Sequence, residues 1–412
     1  MISRRIFLKD GGLALVSLGF APTFLARTVE GIGAARQKVL IAIFQRGAVD
    51  GLNMIVPFGE PEYYRARPTL AIAKPGSSSD AALDLDGFFG LHPRMKPLKP
   101  LWDSGSMAIV HACGSHDDTR SHFDAQDYME SATPGVKSTP DGWMNRYLHA
   151  KEHQKATPFR AVALAQQLPR ALQGTAPALA IGQIAQFGIR GGQATDMVQA
   201  SFESEYAAAA NSVLHTTGRE AFDAVRMLKK ADPAQYAPAS GAEYPRSPFG
   251  EALKQIAQLV KADVGLEVAF AESGNWDHHA NEGSAVGILA NRLDDLARGI
   301  AALTRDLGDR MSDVVVMTMS EFGRAVAENG ARGTDHGHGN AMMIMGGGVR
   351  GGTVYGKWPG LAREQRHDGR DLTITTDFRA VFNEVVRGHL GLTDTSRVFP
   401  GFSGVQKLGL FA

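Results

Sequence analysis

Only one cysteine, Cys113, occurs in 412 residues. No intramolecular disulfide can form, and a zinc cage built from cysteines is excluded, so any metal site has to be made of His, Asp and Glu. Net charge is lacking too. The 43 basic residues balance the 43 acidic ones, which argues for no nucleic-acid partner and no anionic membrane surface. No segment beyond the N-terminus is apolar enough to span a bilayer, and short-period repeats and low-complexity tails are missing. What is present is ordinary for a globular chain with a real core: 44% hydrophobic and 8% aromatic residues, with a high count of 47 glycines. The length permits one large domain or two to three smaller ones.

The chain opens with "MISRRIFLKDGGLALVSLGFAPTFLA". Arg4 and Arg5 precede Phe7, Leu8 and Lys9, and a mildly apolar stretch follows from Gly11 to Ala26. That stretch is too short and too rich in glycine for a membrane span. "SRRIFLK" resembles the twin-arginine export signal. The expectation is a signal segment over residues 1–35, cut near Ala34 and Ala35 or retained as an anchor. The protein would be carried already folded by the twin-arginine translocation machinery to the periplasm or beyond.

Five short apolar runs read as buried strands: "KVLIAIF" (38–44), "MAIVHACG" (107–114), "VGLEVAFAE" (264–272), "DVVVMTMSE" (313–321) and "AMMIMGGG" (341–348). Between them lie helical patterns, most clearly over 284–309, where apolar residues recur at three and four. Strands alternating with long helices predict a three-layer α/β/α sandwich with a mostly parallel central sheet. Residues 36–412 form a single α/β domain in this reading, with an inserted helical or cap region around 158–248, where Ala, Gln and Pro are frequent and periodicity is weak.

Each strand adjoins ligand-capable residues. "QRGAVDGLN" holds Arg46 and Asp50, and "HACGSHDDTRSHFDAQ" holds His111, His116, Asp117, Asp118, Thr119, Arg120, Ser121 and His122. "GNWDHHANEG" holds Asp277, His278 and His279, and "SEFGRA" holds Glu321 and Arg324. "GTDHGHGN" (333–340) leads into the fifth strand with Asp335, His336 and His338. Ligands of open parallel sheets bind beyond the carboxyl ends of the strands, so these clusters can meet on one rim. Carboxylate and imidazole together suit zinc, manganese or magnesium. Asp50, Asp277, Asp335 and Glu321 supply the acids, and His279, His336 and His338 the nitrogens. One or two cations are expected. Ser121, with Thr119 close behind, stands at the start of a helical segment, where a hydroxyl can be a nucleophile or simply a cap. Arg120 and Arg46 can grip anionic oxygens or merely face solvent. Cys113 reads as a small buried residue, Trp276 and Trp358 as packing residues beside glycine-rich loops, and "GGGVRGG" (346–352) as a hairpin or turn, since it lacks the Lys-Ser/Thr of a phosphate loop.

Taken together, "RGAVDGLN", "RSHFDAQDYMES", "GNWDHHANEG", "MSEFGRA" and "GTDHGHGN" resemble the alkaline phosphatase superfamily, and within it the exported bacterial branch called domain of unknown function 1501, from about residue 38 to the C-terminus. The resemblance implies that Asp50, Asp335 and His336 hold one metal, and that Ser121 or Thr119 is the nucleophile. It places His338, Asp277 and His279 near a second metal, with His278 as an alternative. The spacing of Asp277 and His279 departs from that of the phosphatases. So does the late histidine, for which His367 and His389 are the candidates. Two functions follow. One is an exported metal-dependent hydrolase of phosphate esters, with sulfate esters second because Cys113 is followed by Gly-Ser-His-Asp and not by the sulfatase motif. The other is a non-catalytic binding or assembly protein on the same fold.

Overall fold

The computed structural model describes residues 36–151, 157–184, 236–403 and 407–411. The expected signal segment over 1–35 lies outside the described residues.

A large central sheet organises the chain. Its strands are β1 (Val39–Gln45), β5 (Met107–Gly114), β6 (Ala161–Ala163), β7 (Leu179–Ala180), β8 (Val268–Ser273), β9 (Val314–Met319), β10 (Asn340–Gly346), β11 (Thr353–Tyr355) and β12 (Thr376–Asp377). The order is β11-β5-β10-β9-β1-β8-β6-β7, with β12 also paired to β5. Among the described residues, β10 alone runs against its neighbours β9 and β5 in this sheet, and its other pairings are parallel. A small antiparallel sheet of β2 (Ile55–Val56), β4 (Gly90–Leu91) and β3 (Leu83–Asp84) stands beside it.

The strands form where apolar runs were read, and their burial explains why those runs are continuous. Every residue of β1, β5 and β9 is buried, as expected for strands covered on both faces. Alternate residues of β1 go to different layers. Val39, Ile41 and Ile43 pack in one apolar cluster with Leu253, Ile256, Leu293, Leu296 and Ile300. These come from the helices Pro248–Lys261 and Ile288–Leu307. Leu40, Ala42 and Phe44 pack in another with Trp143, Met144, Tyr147, Phe378 and Phe382, from the helices Trp143–Ala150 and Phe378–Glu384. The protein is thus a mixed α/β structure with helices on both faces of a mostly parallel sheet.

Part of the region expected as an insertion belongs to the sheet. β6 and β7 lie within 158–248 and extend its edge, but strands of three and two small residues carry almost no periodic signal. Residues 185–235 of that region lie outside the described residues. The glycine-rich 346–352 segment is a turn and not a hairpin: β11 pairs with β5, on the far side from β10.

The reversed direction of β10 decides where the chemistry goes. The carboxyl ends of β1, β8 and β9 lie level, with Gln45 beside Ser273 and Phe44 beside Met319. Asn340, the first residue of β10, lies beside Cys113 near the end of β5. A segment entering an antiparallel strand arrives at the same rim that segments leaving parallel strands occupy. "GTDHGHGN" therefore meets the other four clusters.

Candidate metal centre

Arg324 ties the rim together. It is 1% exposed, and its guanidinium donates to the carbonyls of Ala48 (2.7 Å), Gly47 (2.7 Å), Trp276 (3.1 Å) and Thr334 (3.1 Å), and to Asp277 Oδ1 (2.5 Å). One side chain thereby joins the loops after β1, β8 and β9 to the segment before β10. The glycines of "GTDHGHGN" allow this closeness. A Cβ on Gly337 would lie 2.2 Å from the Arg324 carbonyl carbon, and one on Gly333 would lie 2.4 Å from that of His279.

Three imidazoles and a carboxylate converge inside this frame. His122 Nε2 and His279 Nε2 each lie 3.0 Å from His336 Nε2. Asp277 Oδ1 is 3.0 Å from His279 Nε2 and 3.3 Å from His336 Nε2, and Asp277 Oδ2 is 3.4 Å from His122 Nε2. The opposite nitrogen of each ring has an acceptor. His122 Nδ1 meets Glu321 Oε1 at 2.8 Å, His279 Nδ1 meets Asp335 Oδ1 at 3.2 Å, and His336 Nδ1 meets the Arg120 carbonyl at 2.8 Å. Those acceptors put the proton of a neutral ring on Nδ1, so three Nε2 lone pairs face one another and a carboxylate. In that tautomer a shared cation would satisfy all of these lone pairs at once. A tetrahedral ion with bonds of about 2.0–2.1 Å would hold its ligand atoms about 3.3 Å apart, close to the five separations given; His122, Asp277 and His336 are the group whose ligand atoms all lie within 4.8 Å of one another, with His279 set against Asp277 and His336. Protein acceptors behind each histidine are the usual support of metal-ligating imidazoles.

The surrounding charges act differently on each group. Burial pushes the Glu321 carboxyl up, but bonds from His122, Gln126 and the Gly47 amide outweigh it and hold the group below the usual range. The bond to Glu321 raises His122 above an ordinary imidazole, whereas burial lowers His336. Burial also pushes Asp277 up, but Arg324 outweighs this and keeps it ionised. His122 and Gln126 are one turn apart on the helix His122–Ser131, and both reach Glu321.

The expected site residues separate into groups. Asp277, His279 and His336 are in the cluster. Glu321 and Asp335 stand behind its histidines instead of among the converging atoms. Asp50 is elsewhere: it is 1% exposed, and Arg67 takes both its oxygens. Asn53 and the carbonyls of Ala325 and Val326 complete the shell of Arg67. His338 joins a different group, with His367 and Asp118. Ser121 caps the helix His122–Ser131, its Oγ accepting from the Asp124 amide at 3.5 Å, and Thr119 Oγ1 accepts from the Ser121 amide at 3.2 Å. Arg120 pairs with the buried Asp371 at 2.8 Å. Arg46 is engaged by Glu130 and Glu272.

The remaining residues singled out in the sequence lie in other surroundings, and Cys113 and Trp276 are buried as read. His278 is buried apart from the cluster and pushed by burial to about 4. His389 bonds the carbonyl of Val39, at the opposite end of β1. Cys113 is buried against Met342, and burial raises its thiol. Trp276 is fully buried.

His122 was visible in the sequence only as one of several polar residues after β5. Its signal was its place directly after the cap of a helix leaving the rim. The organising roles of Arg324 and Arg67 had no sequence signal beyond their type.

No curated protein matches the chain. A family profile described as "Protein of unknown function (DUF1501)" matches residues 37–401. All the residues that build this centre fall within that span, and the chain belongs to that family.

Proposed function

We propose that this protein is an exported metal-dependent hydrolase of phosphate esters, with sulfate esters second, built on an alkaline phosphatase-like α/β/α sandwich. The observation that carries this reading is the convergence of three Nε2 atoms and Asp277, each imidazole backed by its own acceptor. The donor set of three imidazoles and one carboxylate suits zinc first and manganese second. A divalent ion bound there supplies Lewis-acid polarisation of an ester oxygen.

The chain's own residues support the rest. Glu321, Asp335 and the Arg120 carbonyl hold the imidazoles in the ligating tautomer. Arg120 and Arg370 flank the buried Asp371, with side chains 39% and 40% exposed, and Arg370 also holds the His336 carbonyl at 2.9 Å. They offer positive charge to an anionic ester arriving beside His336. Ser121 is proposed as the nucleophile and Thr119 as its neighbour. The hydroxyl of Ser121 is held at a helix start, one residue from His122, where backbone N–H groups favour an anion. This centre holds one ion. Asp50, which the family resemblance assigned to a metal, is neutralised by Arg67.

The test is metal content together with turnover of a phosphate monoester, a diester and a sulfate ester. Wild type should carry metal at this centre and hydrolyse at least one phosphate ester. His279→Ala/His336→Ala should lose both properties. Ser121→Ala should keep the metal and lose activity by about a hundredfold or more. Metal-loaded protein that turns over none of the three would replace the hydrolase with a non-catalytic relative.

A further inference from the structure

We propose that the chain carries a second divalent-cation site, separate from the first, made by Asp118, His338 and His367. Their ligand atoms all lie within 4.8 Å of one another. Asp118 Oδ1 is 3.1 Å from His367 Nε2. The His338 and His367 rings lie face to face, centroids 4.2 Å apart and planes 17° apart. Stacked rings carry their nitrogen edges side by side. Turning one imidazole about its Cβ–Cγ bond, a torsion with broad wells, aims both edges at a common point.

An exposed aspartate paired with a histidine would by itself be an ordinary surface contact of little consequence. His338 makes this group different. It is 7% exposed, and neither of its ring nitrogens has a hydrogen-bond partner among the described residues. No protein group claims these nitrogens, which water can reach, so a ligated ion can take their lone pair without displacing a hydrogen bond. Arg120 lies near His338 and weakens its hold on a cation, and Asp371, which Arg120 shares with Arg370, offsets only part of that charge.

Two imidazoles and one carboxylate, with positions left open to solvent, are the ligand set of Mn²⁺, Fe²⁺ and catalytic Zn²⁺. The side chain of Asp118 is 75% exposed, so this ion should exchange more readily than the one at the first centre. The two sites are built from the same segments. Residues 118–122 give Asp118 to one and His122 to the other, and residues 336–338 give His338 and His336 in the same way. Asp277 and His279 complete the first site, and His367 the second.

The experiment strips the purified full-length protein with a chelator and titrates it with Zn²⁺ or Co²⁺ alone. Bound metal per chain is measured by elemental analysis, and the Co²⁺ absorption spectrum is recorded. The expected result is two ions in wild type. His338→Ala/His367→Ala should keep only the tighter one, and His279→Ala/His336→Ala only the weaker one. Should His338→Ala/His367→Ala fail to fold, Asp118→Asn on the exposed edge carries the test, with weaker-site affinity at least tenfold lower. Wild type binding a single ion that His338→Ala/His367→Ala retains, or Asp118→Asn binding like wild type, overturns the second site. Either result leaves the hydrolase proposal intact. If the only ion bound is one that survives His279→Ala/His336→Ala, that proposal fails and this one stands.

Discussion

Replacing Arg324 with methionine tests whether one guanidinium holds the rim together. Methionine keeps much of the buried volume but removes every donor. The four carbonyls of Gly47, Ala48, Trp276 and Thr334 lose their partner, and Asp277 loses its cation. Hydrogen bonds from a charged group contribute about 1.5–3 kcal/mol each, but these carbonyls line a rim where water can replace some of them. The Asp277 side chain is 42% exposed, so solvent screening leaves its pairing worth little. A loss of about 3–5 kcal/mol is expected, the usual range for removing one partner from a buried charged network. Unfolding entropy of about 2.1 cal/mol/K per residue gives roughly 0.9 kcal/mol/K for a chain of this size. The apparent melting midpoint should therefore fall by roughly 3–6 °C. The assay is thermal unfolding followed by circular dichroism in chelator, so that metal does not contribute, together with metal content without chelator. The variant should melt early and bind metal poorly, because Asp277 and the His279 loop are no longer held. A midpoint within about 1 °C of wild type with unchanged metal content would refute the reasoning.

Other perturbations probe neighbouring links. Glu321→Gln removes the charge behind His122 while keeping the shape. Metal affinity, read by chelator competition, should drop about 10–100-fold, and an unchanged affinity would show that Glu321 does not tune the centre. Burial, and then the adjacent Asp50, push the Glu282 carboxyl well above the ordinary range, so it is neutral in the fold, where it accepts from Thr334 Oγ1 at 2.7 Å. The folded state keeps a proton that the unfolded chain releases above about pH 4.5, so stability falls as pH rises from there toward the folded pKa, by at most about 1.4 kcal/mol per pH unit. Glu282→Gln should flatten that slope in urea titrations at a series of pH values, and an identical slope would place the proton elsewhere. Changing Arg4 and Arg5 together to lysine should leave the protein in the cytoplasm on cell fractionation; unchanged export would end the twin-arginine assignment.

The sequence by itself determined the layers of this protein and the ends of its strands that carry chemistry. A strand covered on both faces must be apolar throughout, so β1, β5 and β9 were legible as runs, and the amphipathic pattern over 284–309 marked the long helix Ile288–Leu307. Helix capping is equally local, which is why Ser121 could be placed at the start of the helix it caps. Residue type alone put Asp277, His279 and His336 among the metal-ligand candidates. β6 and β7 carry no such signal, because two or three small residues have no period. Only the tertiary structure decided which acids face which partners. Asp50 and Asp277 look alike in sequence, each just beyond a strand. Yet Asp50 is locked in the interior by Arg67, 17 positions away, and Asp277 is turned toward three histidines by Arg324, 47 positions away. The same holds for His336 and His338, two residues apart but in different groups. Ligation depends on lone pairs meeting within a few ångströms. That distance is set by loops crossing at the rim and by the strand β10, which enters the rim from the opposite direction, neither of which a one-dimensional pattern records.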